Sequence, residues 1–125
     1  MKKIAPLRFV AALSVALTFM LLHDATAANP DHVAAFLKTH VCQGCDLSGA
    51  NLGGVQAPGA KLANANLANA TFYGANLRGA DLSGAMLDGA NFEMVDLAGA
   101  VGAVLGGAKT DNRTTCPNGK AGPCN

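Results

Sequence analysis

From Cys45 to Gly99 the chain reads in fives: CDLSG, ANLGG, VQAPG, AKLAN, ANLAN, ATFYG, ANLRG, ADLSG, AMLDG, ANFEM and VDLAG. A period of five matches neither the ~3.6-residue repeat of a helix nor the two-residue alternation of a long strand. It suits a short extended stretch followed by a corner. Unbroken over eleven units, such a period marks a solenoid in which each unit packs on its neighbours.

Each position in the unit has its own chemistry. The third residues are Leu47, Leu52, Ala57, Leu62, Leu67, Phe72, Leu77, Leu82, Leu87, Phe92 and Leu97, and ten of these eleven are Leu or Phe. They are the expected core, with Ala57 leaving a thinner slot. The first residue is Ala in eight units and sits two before the third, so both face inward. The fifth is Gly in eight and Asn in two, residues that tolerate the positive φ of a corner. The second and fourth positions vary, as in Asp46, Lys61, Asn76, Ser48, Pro58 and Glu93, and are expected to face solvent.

This pattern resembles the pentapeptide-repeat family, whose units read A(D/N)LXX around a central Leu or Phe. The resemblance covers 55 of the 98 residues from Ala28 onward. It implies an all-β solenoid, a right-handed quadrilateral β-helix with four units per coil and so about three coils in residues 45–99. Phe72 and Phe92 would then stack, and Lys61 and Asp81 would be vertical neighbours in a surface ion pair contributing ~0–1 kcal/mol. After Gly99 the frame slips, and Ala103–Gly107 and Ala108–Asn112 resume the pattern three residues late. The repeat domain is therefore expected over 45–112, regular to 99 and irregular over 100–112.

The ends differ in kind. Lys2, Lys3 and Arg8 precede a fourteen-residue, largely apolar run, Phe9–Leu22, and Ala25-Thr26-Ala27 supplies an A-x-A cleavage signal. Fourteen helical residues reach roughly 21 Å, short of a ~30 Å hydrocarbon core. Residues 1–27 are thus expected to be a cleaved signal peptide, leaving no stable membrane anchor and a periplasmic or secreted product. From Ala28 the chain has six Lys/Arg against seven Asp/Glu, a net charge of −1. That balance gives no basic stripe for nucleic acid.

Residues 28–44 form the expected N-terminal cap. Asn29-Pro30-Asp31 reads as a helix start, and Val33, Phe36, Leu37 and Val41 share a face of a helix over about 30–40 that would cover the first coil. Four cysteines lie in this exported part: Cys42, Cys45, Cys116 and Cys124. Their even number reads as disulfides in an oxidising compartment. The preferred pairing is Cys42–Cys45 and Cys116–Cys124, the second pair belonging to a C-terminal tail over 113–125. Crossed pairings are the alternative, as is a redox pair or a metal site of His40, Cys42 and Cys45. Haem attachment fails because Asp46, not His, follows Cys45.

Ser48 and Ser83 stand at outward positions with no base to activate them, and neither a phosphate loop nor a paired-acid cleft is visible. The expected function is non-enzymatic and needs no cofactor: a structural or interaction module whose partner is another protein. The candidate recognition patch is Tyr73, Arg78 and Glu93, near Pro58. A redox or metal role at Cys42/Cys45 is the alternative. Some family members resemble duplex DNA and inhibit a topoisomerase, but residues 45–99 hold only five acids against two bases, so that reading ranks last.

Overall fold

The computed structural model describes residues 27–124. The signal-peptide reading of 1–27 therefore lies, but for its last residue, outside the described residues. Within them, isolated parallel bridges join residues 20 apart: Val41 to Lys61, Asp46 to Asn66, Asn51 to Thr71 and Gln56 to Asn76, then onward from each. Four pentads thus complete one circuit and stack into four walls. The first wall holds units 40–44, 60–64 and 80–84, and the second 45–49, 65–69 and 85–89. The third holds 50–54, 70–74 and 90–94, and the fourth 55–59, 75–79 and 95–99.

The pentad consensus follows from where its five N–H groups go. The third- and fifth-position groups donate to the next circuit, as Leu47 N to Asn66 O and Gly49 N to Ala68 O, both 2.9 Å. The second donates to the circuit before, as Asn66 N to Cys45 O at 2.8 Å. The first closes the corner, as Ala50 N to Leu47 O at 3.1 Å. The fourth is taken by the side chain two residues earlier: Ser48 N donates to Asp46 Oδ1 and Arg78 N to Asn76 Oδ1, both 3.1 Å. Seven pentads repeat this last bond. An Asp or Asn at position two therefore satisfies a backbone donor that the ladder leaves over. In the unit with Gln56 the fourth residue is Pro58, which has no N–H to satisfy.

All eleven central residues, Ala57 included, are buried. The rings of Phe72 and Phe92 stack with centroids 5.2 Å apart and 15° between planes. Lys61 and Asp81 are ladder partners. The ion pairs among the described residues lie elsewhere, at Arg78–Asp96 and Arg113–Asp111. The fifth residues take left-handed φ throughout, including the non-glycine Met94 at 59°.

Helix α1 spans Pro30–Thr39; Asn29 caps it by accepting from the Asp31 N–H at 2.9 Å, and left-handed His40 ends it. Phe36 is fully buried, edge-on to Phe72 at 6.5 Å, at the end of the solenoid where Ala57 leaves the central slot small. The helix face differs from the one expected. Val33 is partly buried, but Leu37 and Val41 are exposed. The cause is the stop at His40, which places Val41 outside the helix as the outward second residue of a pentad, 40–44, that precedes the consensus. Leu37, one residue past Phe36, is rotated by about 100° off the buried stripe.

At the other end the frame slip is resolved as two short steps. Asn91 bridges Lys109, 18 residues on, and Asp96 bridges Thr115, 19 on. Leu105 fills a central slot, with Ala108 N closing its corner onto Leu105 O at 3.0 Å. The ladder also runs past Asn112. Thr114 is fully buried, Thr115 pairs with Asp96, and Gly119 N closes a corner onto Cys116 O at 2.8 Å. Strand β1 (Thr114–Thr115) then pairs antiparallel with β2 (Ala121–Gly122).

Changes at three positions test this arrangement. Leu77→Asp places an unpaired charge in the core and should abolish the folded circular-dichroism signal. Asn76→Asp, which keeps the acceptor for Arg78 N, should shift stability by less than ~0.5 kcal/mol, and Asn76→Ala, which loses it, should cost about 1 kcal/mol. Met94→Gly removes a side chain from a left-handed corner and should stabilise by about 1 kcal/mol in urea titrations.

Candidate interaction surface

With the ladder occupying the backbone and the third residues filling the interior, what a partner meets is the second and fourth side chains. Tyr73 and Glu93 are fourth residues of successive circuits on the third wall, where Gly74 N donates to Glu93 O at 3.1 Å. Arg78 is not beside them on that wall. It lies past the Gly74 corner on the fourth, one circuit from Pro58, since Gly59 N donates to Arg78 O at 2.7 Å. Its Nη1 donates to Asp96 Oδ2 at 3.0 Å. The patch of Tyr73, Glu93 and Arg78 is thus folded around one edge of the solenoid, with the arginine already paired.

The same face includes residues that the repeat pattern did not mark. Asp111, from the slipped pentad 108–112, follows Glu93 up the third wall. Its Oδ1 accepts from Met94 N at 3.1 Å, Arg113 N at 3.1 Å and Thr114 Oγ1 at 2.9 Å, and its Oδ2 accepts from Arg113 Nε at 3.0 Å. In the regular ladder the Met94 N–H would go to the main-chain carbonyl of residue 111; here the carboxylate of that residue takes its place. Arg113 in turn interacts with Tyr73, and both Tyr73 and Met94 are exposed. Only the side chain's contacts reveal this cluster, because the slipped pentad 108–112 gives no sign that its fourth residue gathers these donors.

Partial burial acts to raise the Asp111 pKa, but the Met94 N–H, the Thr114 hydroxyl and Arg113 outweigh it and hold the carboxyl at about 2. Asp46 and Asp81 are held below the ordinary carboxylate range as well, chiefly by the hydroxyls of Ser48 and Ser83.

Both disulfides of the preferred pairing are present in the structure. Cys42 occupies the central slot of pentad 40–44, 2% exposed, and Cys45 is the first residue of the next unit. Those are the two positions whose backbone closes every corner, here Cys45 N to Cys42 O at 3.4 Å. The bridge is a covalent copy of that turn. Cys116, in a central slot of the last circuit, pairs with Cys124, whose N–H donates to Thr110 Oγ1 at 3.0 Å. This folds the tail back across the end of the solenoid beside an open concavity of about 550 Å³ lined by Leu105, Lys120 and Pro123. Among the described residues no cluster of three His, Cys, Asp or Glu side chains could hold a metal ion.

A sequence profile for pentapeptide repeats matches residues 41–79 and 65–101 in eight copies. The solved structure of alr5209, a pentapeptide repeat protein from Nostoc Pcc 7120, is 32% identical, covering 71% of this chain and 81% of its own with a TM-score of 0.52. The chain belongs to the pentapeptide repeat family. Such proteins form right-handed quadrilateral β-helices, in keeping with the four-pentad circuit of this pentapeptide repeat protein. QnrB1, a plasmid-mediated fluoroquinolone resistance protein, is 26% identical over 58% of this chain and 38% of its own, at a TM-score of 0.46. HetL, involved in heterocyst differentiation regulation in the cyanobacterium Nostoc sp. strain PCC 7120, is 30% identical over 65% and 42%, at 0.32. The chain spans less than half the length of either. No curated protein sequence matches it.

A depressed carboxylate pKa stabilises the fold above the unfolded value and ceases to do so as pH falls through the folded one. Asp111→Ala should therefore lower the melting temperature at pH 7. The gap to the parent should close between about pH 4 and pH 2. Thermal melts at intervals of half a pH unit would read this, and a gap that stays constant would contradict it.

Proposed function

We propose that this pentapeptide repeat protein is an exported, non-catalytic module of about three coils that binds another protein through its outer walls. On this reading α1 caps one end and the disulfide-pinned tail closes the other, in a protein that works in the periplasm or outside the cell. The observation that carries the binding proposal is the third-wall face. Exposed Tyr73 and Met94 lie with Glu93, Asp111 and Arg113 on a wall whose backbone is immobilised by the ladder. Tyr, Met and Arg are the side chains enriched at protein interfaces, and a rigid wall loses little entropy on binding.

Export is supported by the charged, apolar and A-x-A segments of residues 1–27 and by two disulfides, which persist in oxidising compartments. A redox role for Cys42/Cys45 fits less well. The Cys42 sulfur sits in the core, and thiol–disulfide exchange requires access for the attacking thiolate. Mimicry of a nucleic-acid surface also fits less well, since the walls carry both signs of charge, as in the Arg78–Asp96 pair.

The test is in-cell crosslinking of the full-length chain, followed by fractionation, N-terminal sequencing and identification of the crosslinked protein. The expected product begins at Ala28, lies outside the cytoplasm and gives a discrete crosslink. Tyr73→Ala/Glu93→Ala should lose that crosslink while melting within a few degrees of the parent. An unprocessed cytoplasmic chain would sink the export reading, and an unchanged crosslink would sink the patch.

A further inference from the structure

Asp46 belongs to the first circuit, so no circuit lies beneath it to accept its N–H. In the ladder above, the equivalent Asn66 N–H goes to Cys45 O at 2.8 Å. The Asp46 N–H goes instead to Nδ1 of His32, on the first turn of α1, at 2.9 Å. The Asn29 N–H donates to Asp46 O at 3.1 Å, in the place of the third-position donor of a missing circuit. A backbone N–H can only donate, so Nδ1 must hold a lone pair and the ring proton must sit on Nε2. The N-terminal turn of α1 is therefore seated by a bond that exists only while His32 is neutral.

Protonation at Nδ1 turns this acceptor into a donor and sets two N–H groups face to face. Histidine is the side chain that changes charge between about pH 5 and 8. Asp31 precedes His32 on the first turn of α1, Lys38 and His40 lie at the far end of that helix, and Asp46 belongs to the first circuit, to which His32 bonds. The Asp46 carboxylate is already committed, its Oδ1 accepting from Ser48 N at 3.1 Å and Ser48 Oγ at 2.6 Å.

We propose that α1 is an acid-released lid. With His32 neutral it closes the N-terminal end of the solenoid. When His32 takes a proton the Asp46 N–H loses its acceptor, the helix lifts, and Phe36 with the first-circuit core becomes accessible. This rests on the reading of α1 as the cap of that end; the parent at pH 7.5 tests the cap and the His32 variants test the switch.

The experiment uses the mature chain, Ala28–Asn125, with both disulfides formed. Amide hydrogen exchange of Asp46 and Asn29, normalised to Asn66 in the ladder, is followed from pH 7.5 to 5 alongside binding of an apolar-surface dye. Protection at Asp46 and Asn29 should fall at least tenfold relative to Asn66, and dye fluorescence should rise over the same range. His32→Gln, whose Oε1 accepts without titrating, should keep the lid closed at both ends of the range. His32→Ala should bind dye at pH 7.5, and His40→Gln should respond like the parent. Unchanged Asp46 protection in the parent at pH 5, or a His32→Gln variant that responds like the parent, overturns the switch. A closed His32→Ala variant likewise overturns the switch, whereas dye binding by the parent at pH 7.5 overturns the cap itself.

Discussion

A chain that turns a corner every five residues never forms a strand long enough to satisfy its amides in a sheet of ordinary length. Every pentad must place five donors, and this protein places them in three directions. The second, third and fifth go vertically to neighbouring circuits and the first closes the corner; the fourth is left to a side chain. From that distribution the rest follows. Vertical bonds align only when pentads stack in register, which fixes the offset of 20 residues seen from Val41 to Val101. Stacking puts like positions over like, so Phe72 meets Phe92 face to face. The leftover fourth donor sets the demand for Asp or Asn at position two, and Pro58 removes that demand where Gln56 could not meet it.

A ladder of this kind has no natural end. Each terminal circuit exposes donors and acceptors that the next circuit would have taken, an edge open to further pairing. At the N-terminal edge Asn29 and His32 stand in for the absent circuit under Asp46. At the C-terminal edge the slip shortens the last circuit, and the Asp111 carboxylate takes the Met94 N–H that a main-chain carbonyl would have accepted. The β1–β2 hairpin covers the fourth wall by taking Cys116 N onto Lys120 O at 2.8 Å. The two disulfides fall at these same ends, with Cys42 and Cys116 each in a central slot of a terminal circuit.

The inward half of the fold was legible because it obeys one rule repeated eleven times. Spacing alone marks Leu47 through Leu97 as core, and Leu105, central in a slipped pentad, is buried with them. What escaped was whatever depended on a particular hydrogen-bond or packing partner rather than on the spacing of the repeat. Asp46 and Asn76 read as solvent-facing because their acceptor role concerns a backbone proton two residues on, which composition does not display. Val41 read as helical because its apolar character fits α1 and only the left-handed His40 removes it. Thr114–Cys116 shows no repeat, yet it completes a circuit because Asp96 and Leu97 offer it a ladder edge. In the patch, Arg78 was placed with Tyr73, but the corner at Gly74 and the bond to Asp96 separate them, and Arg113 occupies the position beside Tyr73 instead.

The division between middle and ends also bears on how such a molecule can respond to its surroundings. Vertical bonds in the interior circuits join neutral backbone groups, whose pairing does not depend on pH. Among the described residues, ladder positions are filled by ionisable side chains at the two edges alone, an imidazole below Asp46 and a carboxylate above Met94. Acid acts on both in the same sense, since protonation removes a lone pair or a charge that the adjacent N–H requires. Asp111, held at about 2, yields only to harsh acid. On the proposed lid mechanism the solenoid opens from the N-terminal end, while the third-wall face beside Asp111 persists. Environmental sensitivity is concentrated at the lid, away from the surface proposed to carry recognition.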